Sequence, residues 1–164
     1  MSQSRSFNIA KFPDVLQAML GLNAAYENST LEPALLELVK LRASQINGCG
    51  YCTDMHTKDA RLEGETEQRL YLVSVWRETS LYSEREQAAL AWSEAVTRLD
   101  GQHVPDEVYD RARAQFSEEE LVRLTLAVVG INGWNRFNIA FNVPAGSYQA
   151  GGLKAMKAAH SRAS

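Results

Sequence analysis

Both cysteines of the chain and one of its three histidines fall in the short stretch INGCGYCTDMHTKDAR, residues 46–61. Cys49 and Cys52 are spaced C-x-x-C, and His56 follows Cys52 by four residues. The break at Asn47 and Gly48 predicts a helix opening near Gly50, so both sulfurs sit at its first turn. Unpaired N–H groups and the helix macrodipole favour negative charge there, hence thiolate. His56 stands one turn beyond Cys52 on the same face, able to accept the thiol proton or to pair with the thiolate. A sulfur that attacks a peroxide becomes a sulfenic acid, and a second thiol within reach condenses with it to a disulfide.

Other uses of these residues are less well served. Structural zinc wants four ligands, commonly from two Cys or Cys/His pairs, and no second pair exists. His103 and His160 are isolated and read as surface residues. A c-type haem attachment needs His at position 53, which is Thr53. A thioredoxin-like centre expects βαβ surroundings, and the flanking pattern is helical. Two buried cysteines packing as small hydrophobes beside a chance histidine stay open as an alternative.

The elements that must position these groups are helical throughout. Apolar residues recur at helical spacing, no stretch alternates at strand length, and the fold class expected is all-α. Pro13 and Asp14 open a first helix, and Thr30 is placed to cap a second that stops at Asn47 and Gly48. The third should run from about Gly50 to Glu63 and end at Gly64. The segment ETEQRLYLVSVWRET carries a helical apolar stripe. Ser83 with Glu86 and Ser117 with Glu120 match capping boxes; Gly101 closes the first of those helices and Pro144 marks the exit of the second. Pro105 starts a shorter helix between them. ELVKL followed by ING in the second helix is echoed by ELVRL followed by ING in the last, with Trp134 standing where the first copy has Cys49. Reuse of residues by amphipathic helices explains the echo as readily as an old duplication.

At 164 residues and 45% hydrophobic composition, the chain is read as one domain over residues 1–164. A net charge of −3 with interspersed signs favours neither nucleic acid nor an anionic membrane as partner. No apolar run approaches the roughly 18 residues of a membrane span, and the opening MSQSRSFNIAKFPDVLQAML lacks a leader's pattern, so a cytoplasmic location is expected.

The ordering E-x11-C-x-x-C-x3-H, here Glu37, Cys49, Cys52 and His56, resembles the active-site signature of the alkyl hydroperoxidase D (AhpD)-like branch of the carboxymuconolactone decarboxylase superfamily. The likeness runs from about Leu31 through INGWNRFNIAF to Pro144. It implies an all-α homo-oligomer, trimer or hexamer, that reduces small organic hydroperoxides with no cofactor and no metal, and that is reset by a thiol reductant protein. It also implies roles: Cys52 as the attacking thiolate, Cys49 as the resolving thiol, and His56 with Glu37 as the proton relay. Spacing alone does not bring Glu37 to the sulfurs, since it lies about three turns before Gly48; as a surface acid it would pair with Lys40. Tyr51 departs from the family's best-known form, which has histidine before the second cysteine, and a phenol is a poor proton acceptor at neutral pH. A non-catalytic helical assembly protein and a lactone decarboxylase-like enzyme are the alternatives, and the latter has no need of the cysteine pair.

Overall fold

The computed structural model describes residue 5 and residues 8–161, apart from the side chains of residues 160 and 161. Residues 1–4, 6 and 7, part of the opening read above for a leader, and the side chain of His160 therefore lie outside the described residues. Eight α-helices and no strand occur among the described residues: α1 (Pro13–Glu27), α2 (Pro33–Asn47), α3 (Gly50–Leu62), α4 (Glu67–Leu72), α5 (Glu84–Arg98), α6 (Asp106–Gln115), α7 (Glu118–Ala140) and α8 (Gly152–Ser161).

Helix α2 is the centre of the packing, in contact with α3, α5 and α7. Its sequence explains why: Leu35, Leu36, Leu38, Val39, Leu41, Ala43 and Ser44 are all buried, leaving it almost no solvent face. Leu35, Leu36 and Val39 pack with Leu124, Ala127 and Val128 of α7 and with Ala88, Ala89 and Trp92 of α5. Leu38 and Leu41, on the other side, pack with Val73, Trp76 and Leu90. Each such leucine contributes about 1.5–3 kcal/mol by leaving water. A smaller cluster of Ala43, Cys49, Cys52 and Ile131 extends this core to the cysteines.

Both capping boxes are formed, with the Ser83 and Ser117 side chains accepting from the Glu86 and Glu120 amides and the glutamates reaching back. Three expectations are corrected. Thr30 does not cap α2; the helix begins at Pro33, whose fixed φ and missing N–H suit a first helical position. Helix α5 ends at Arg98, and Leu99, Asp100 and Gly101 then all take positive φ, so Gly101 lies beyond the helix end. The apolar stripe after Glu65 is not one helix: α4 gives way to a 3-10 segment, Val73–Glu78. Its buried residues Leu70, Val73 and Trp76 recur every third position, the period of a 3-10 helix; the backbone kinks at Val75 (φ −122°, ψ 31°), and the Trp76 indole N–H donates to Glu94 Oε1, 3.1 Å away.

The two ING segments meet. Asn47 Nδ2 donates to Asn132 Oδ1 and to Asn135 Oδ1, both at 2.9 Å, and Asn135 Nδ2 donates to Ser44 Oγ at 3.0 Å. Gly48 ends α2 in the left-handed region at φ +70°, whereas Gly133 continues inside α7. That difference separates the copies: one turns a corner into the cysteines, the other runs straight on to Trp134.

Candidate active site

Gly48 makes the corner that positions the cysteines. With its φ of +70° the Cys49 amide returns to Ser44 O at 3.0 Å, which closes α2 and lets α3 begin only two residues later. Cys49 is the N-cap of α3, and its sulfur accepts the Cys52 amide at 3.3 Å. Cys49 and Cys52 are joined as a disulfide with Cα atoms 5.4 Å apart. Both are buried, at 2% and 0% exposure, so the bond is sealed from bulk solvent.

Helix α3 folds back along α2 and brings His56 level with Glu37. Glu37 Oε2 lies 2.8 Å from His56 Nδ1, and Glu37 Oε1 accepts from Lys40 Nζ at 2.5 Å. Burial would push the Glu37 carboxyl up; the His56 ring and the Lys40 ammonium outweigh it and hold Glu37 well below the usual carboxylate range. An ionised carboxylate at Nδ1 fixes the imidazole with Nε2 turned away. His56 is 2% exposed, and its Nε2 has no hydrogen-bond partner among the described residues. The Cys52 sulfur has a different neighbour, Asn138 Nδ2, at 3.3 Å.

A cavity of about 230 Å³ opens beside these groups, with Lys40, Tyr51, His56, Trp134, Asn138 and Met156 among its walls. Tyr51 stacks edge-on against Tyr148, ring centroids 6.2 Å apart, and burial pushes its hydroxyl up, so it shapes the wall and is no proton acceptor. Trp134 is fixed by its indole N–H to Asn23 Oδ1 at 3.2 Å. The outer side comes from the chain after Pro144, to which the sequence analysis assigned no element. Asp59 accepts from the Tyr148 hydroxyl and the Gly151 amide, each at 2.8 Å, while Lys58 donates to Tyr148 O at 2.9 Å. Lys157 of α8 pairs with Glu27 of α1. Leu153 and Met156 of α8 thereby face the cavity.

Tertiary structure thus brings Glu37 to His56 and Cys49 to Cys52. It does not join His56 to the Cys52 sulfur by a hydrogen bond. His103 is exposed and far from this arrangement in the chain's path, on the loop before α6. Among the described residues, no three His, Cys, Asp or Glu side chains converge as metal ligands. Asn138 escaped the sequence analysis, although an amide one turn after Trp134 in the apolar INGWNRFNIAF run is a signal, because such a group needs a partner when it is buried.

Comparison with known proteins agrees with this architecture. The family model for the carboxymuconolactone decarboxylase family matches residues 13–95. The Bacillus subtilis (strain 168) uncharacterized protein YdfG is 44% identical over 135 residues, which is 82% of this chain and 92% of that protein. The crystal structure of ATU0492 from Agrobacterium tumefaciens, a protein of unknown function proposed to be the antioxidant defence protein AhpD, superposes with a TM-score of 0.83 at 40% identity, covering 89% of this chain and all (100%) of that one. The debrominase Bmp8 in its apo form shares the fold at 22% identity and a TM-score of 0.74, over 85% of this chain and 75% of its own. The chain belongs to the carboxymuconolactone decarboxylase family, as an AhpD-like member.

Proposed function

We propose that this protein is a thiol-dependent peroxidase that reduces small organic hydroperoxides through Cys52 and Cys49. The observation that carries the reading is the buried Cys49–Cys52 disulfide at the start of α3, beside a cavity into whose wall Glu37 sets His56. The likeness to ATU0492 supports the same class of chemistry.

In the reduced enzyme His56 takes the Cys52 proton, and the Glu37 carboxylate stabilises the resulting imidazolium. The thiolate attacks the terminal oxygen of the hydroperoxide; the S–O bond forms as the O–O bond breaks, and His56 returns its proton to the leaving alkoxide, giving the alcohol. Cys52 is then a sulfenic acid. The Cys49 sulfur attacks it, the S–S bond forms, and hydroxide leaves as water with the Cys49 proton. The two electrons spent come from the two thiols, and an external thiol reductant protein restores them. Every step is thiol and acid–base chemistry, so the cycle calls on no cofactor and no metal. Residues 1–164 act in this reading as one domain of a cytoplasmic homo-oligomer, a trimer or hexamer.

The test is stoichiometric. Reduced protein mixed with cumene hydroperoxide should form one cumyl alcohol for every two thiols lost. Thiols that survive, or that disappear without alcohol, sink the reading; an assembly protein and a lactone decarboxylase both predict no such coupling.

A further inference from the structure

We propose that Asn138 is a catalytic residue of this site, the hydrogen-bond donor that stabilises the buried Cys52 thiolate from its place in the cavity wall. The inference rests on the reading of Cys52 as the attacking thiol. The two sulfurs have different donors, the Cys52 amide for Cys49 and the Asn138 side chain for Cys52. A helix N-terminus ordinarily stabilises a thiolate through its free amides. Here the amide at that position, the N–H of Cys52, is directed at Cys49 Sγ, 3.3 Å away, so the benefit of the α3 terminus goes to the N-cap sulfur.

Cys52 lies in the first turn of the helix with 0% exposure, beyond the reach of bulk water. A buried thiolate without a donor is disfavoured, and its thiol pKa rises. His56 does not supply that donor in the observed arrangement, because its Nδ1 is taken up by Glu37 and its Nε2 has no hydrogen-bond partner among the described residues. The side-chain amide of Asn138, 3.3 Å from Cys52 Sγ in the disulfide, is placed to supply it once the bond is reduced.

Its placement suits the role. Asn138 belongs to the last turn of α7, one turn beyond Trp134, and lines the same cavity as His56. Asn138 and His56 are thus cavity-wall residues, and behind that wall the buried Cys52 sulfur is held by the Asn138 amide. An amide N–H donates without carrying a charge or a transferable proton, so it can hold the thiolate without quenching it.

The test uses the Cys49→Ser protein, in which Cys52 is the only thiol. Iodoacetamide rates from pH 5 to 10 give the midpoint of Cys52 ionisation, and Asn138→Leu should move it upward by about one pH unit. Asn138→Asp keeps the shape, removes the donor and sets a carboxylate beside the sulfur, so it should move the midpoint further; it decides alone if the leucine variant does not fold. In a Cys52→Ser background the midpoint of Cys49 should not respond to Asn138→Leu. Midpoints of Cys52 that coincide with the parent's, or an equal shift at Cys49, overturn the assignment. Cumene hydroperoxide separates this inference from the function it rests on. A Cys52 that ignores the hydroperoxide while its midpoint still moves removes the peroxidase and leaves Asn138 as its donor. A Cys52 that reacts with an unmoved midpoint does the reverse.

Discussion

Glu37 Oε2 stands 2.8 Å from His56 Nδ1, joining residues 19 apart in sequence across the α2–α3 corner. Lys40 holds the other carboxylate oxygen, so Glu37 is clamped between a cation and an imidazole in a largely buried site. Lys40, Glu37 and His56 form one connected unit: the imidazole and the lysine together keep the carboxylate ionised, and the carboxylate decides which ring nitrogen is engaged.

Replacing Glu37 by Gln should therefore do two things. It leaves the buried Lys40 ammonium without its counter-ion, a loss of roughly 3 kcal/mol in urea unfolding at pH 7. Because the folded pKa of Glu37 lies below its unfolded value, its stabilisation is present above the ordinary carboxylate range and is lost as pH falls through and below that range. The gap between wild type and Glu37→Gln should narrow steadily in acid; a gap that is constant from pH 7 to pH 3 counts against the buried pair.

His56→Ala should raise the midpoint of Cys52 alkylation in a Cys49→Ser background and slow the reaction with hydroperoxide at pH 7. A thiol at its ordinary pKa near 8.5 is only a few per cent ionised there, but nucleophilicity falls as pKa falls, so the expected loss is about a few-fold to tenfold. Raising the pH should recover part of it. Coincident midpoints with and without His56, joined to lower thermal stability, would mark it as a packing residue.

The cysteines should divide their labour. Under hydroperoxide, Cys49→Ser should gain one and then two oxygens at Cys52 by mass spectrometry, the sulfenic and sulfinic acids of an unresolved thiol. Cys52→Ser should not consume hydroperoxide. Reactivity retained in Cys52→Ser and lost in Cys49→Ser assigns the roles the other way round, in keeping with the N-cap position of Cys49.

Gly48→Ala isolates the backbone cost of the corner. Nothing lies within 4 Å of the Cβ it would add, so the penalty is that of an L-residue at φ +70°. About 1–2 kcal/mol of lost stability in urea unfolding is expected. An unchanged stability would mean the corner tolerates a side chain without left-handed strain.

Assembly is the fifth expectation. Val122 and Val129 of α7, two turns apart on one side of the helix, are 64% and 49% exposed, and Ile139 is 48% exposed near its end. Apolar surface of this kind on a long central helix is suited to a self-complementary interface. Light scattering should return a multiple of 18.3 kDa, and Val129→Glu should reduce it. A monomer mass for the unaltered chain at micromolar concentration removes the expectation.

Much of the scaffold was legible because its signals are local. The Ser83/Glu86 and Ser117/Glu120 boxes, the Asn47–Gly48 stop and the opening of α3 at Gly50 are written within one turn of chain, where side chain and backbone satisfy each other directly. The failures have the same origin in reverse. The 3-10 winding at Val73–Glu78 answers to Trp76 reaching Glu94 on α5, and α8 is held by Asp59, Glu27 and Glu63, all from distant segments.

The candidate site divides along that line. Sequence alone placed Cys52 and His56 on one helix with Cys49 at its start, since a four-residue spacing has fixed geometry in a helix. Only the folded chain decided that Glu37 meets His56, that the α3 amide serves Cys49 rather than Cys52, and that Asn138, 86 residues further on, is the neighbour of the Cys52 sulfur. Contacts of that separation depend on how α2, α3 and α7 cross, and crossing is set by the fit of whole buried faces.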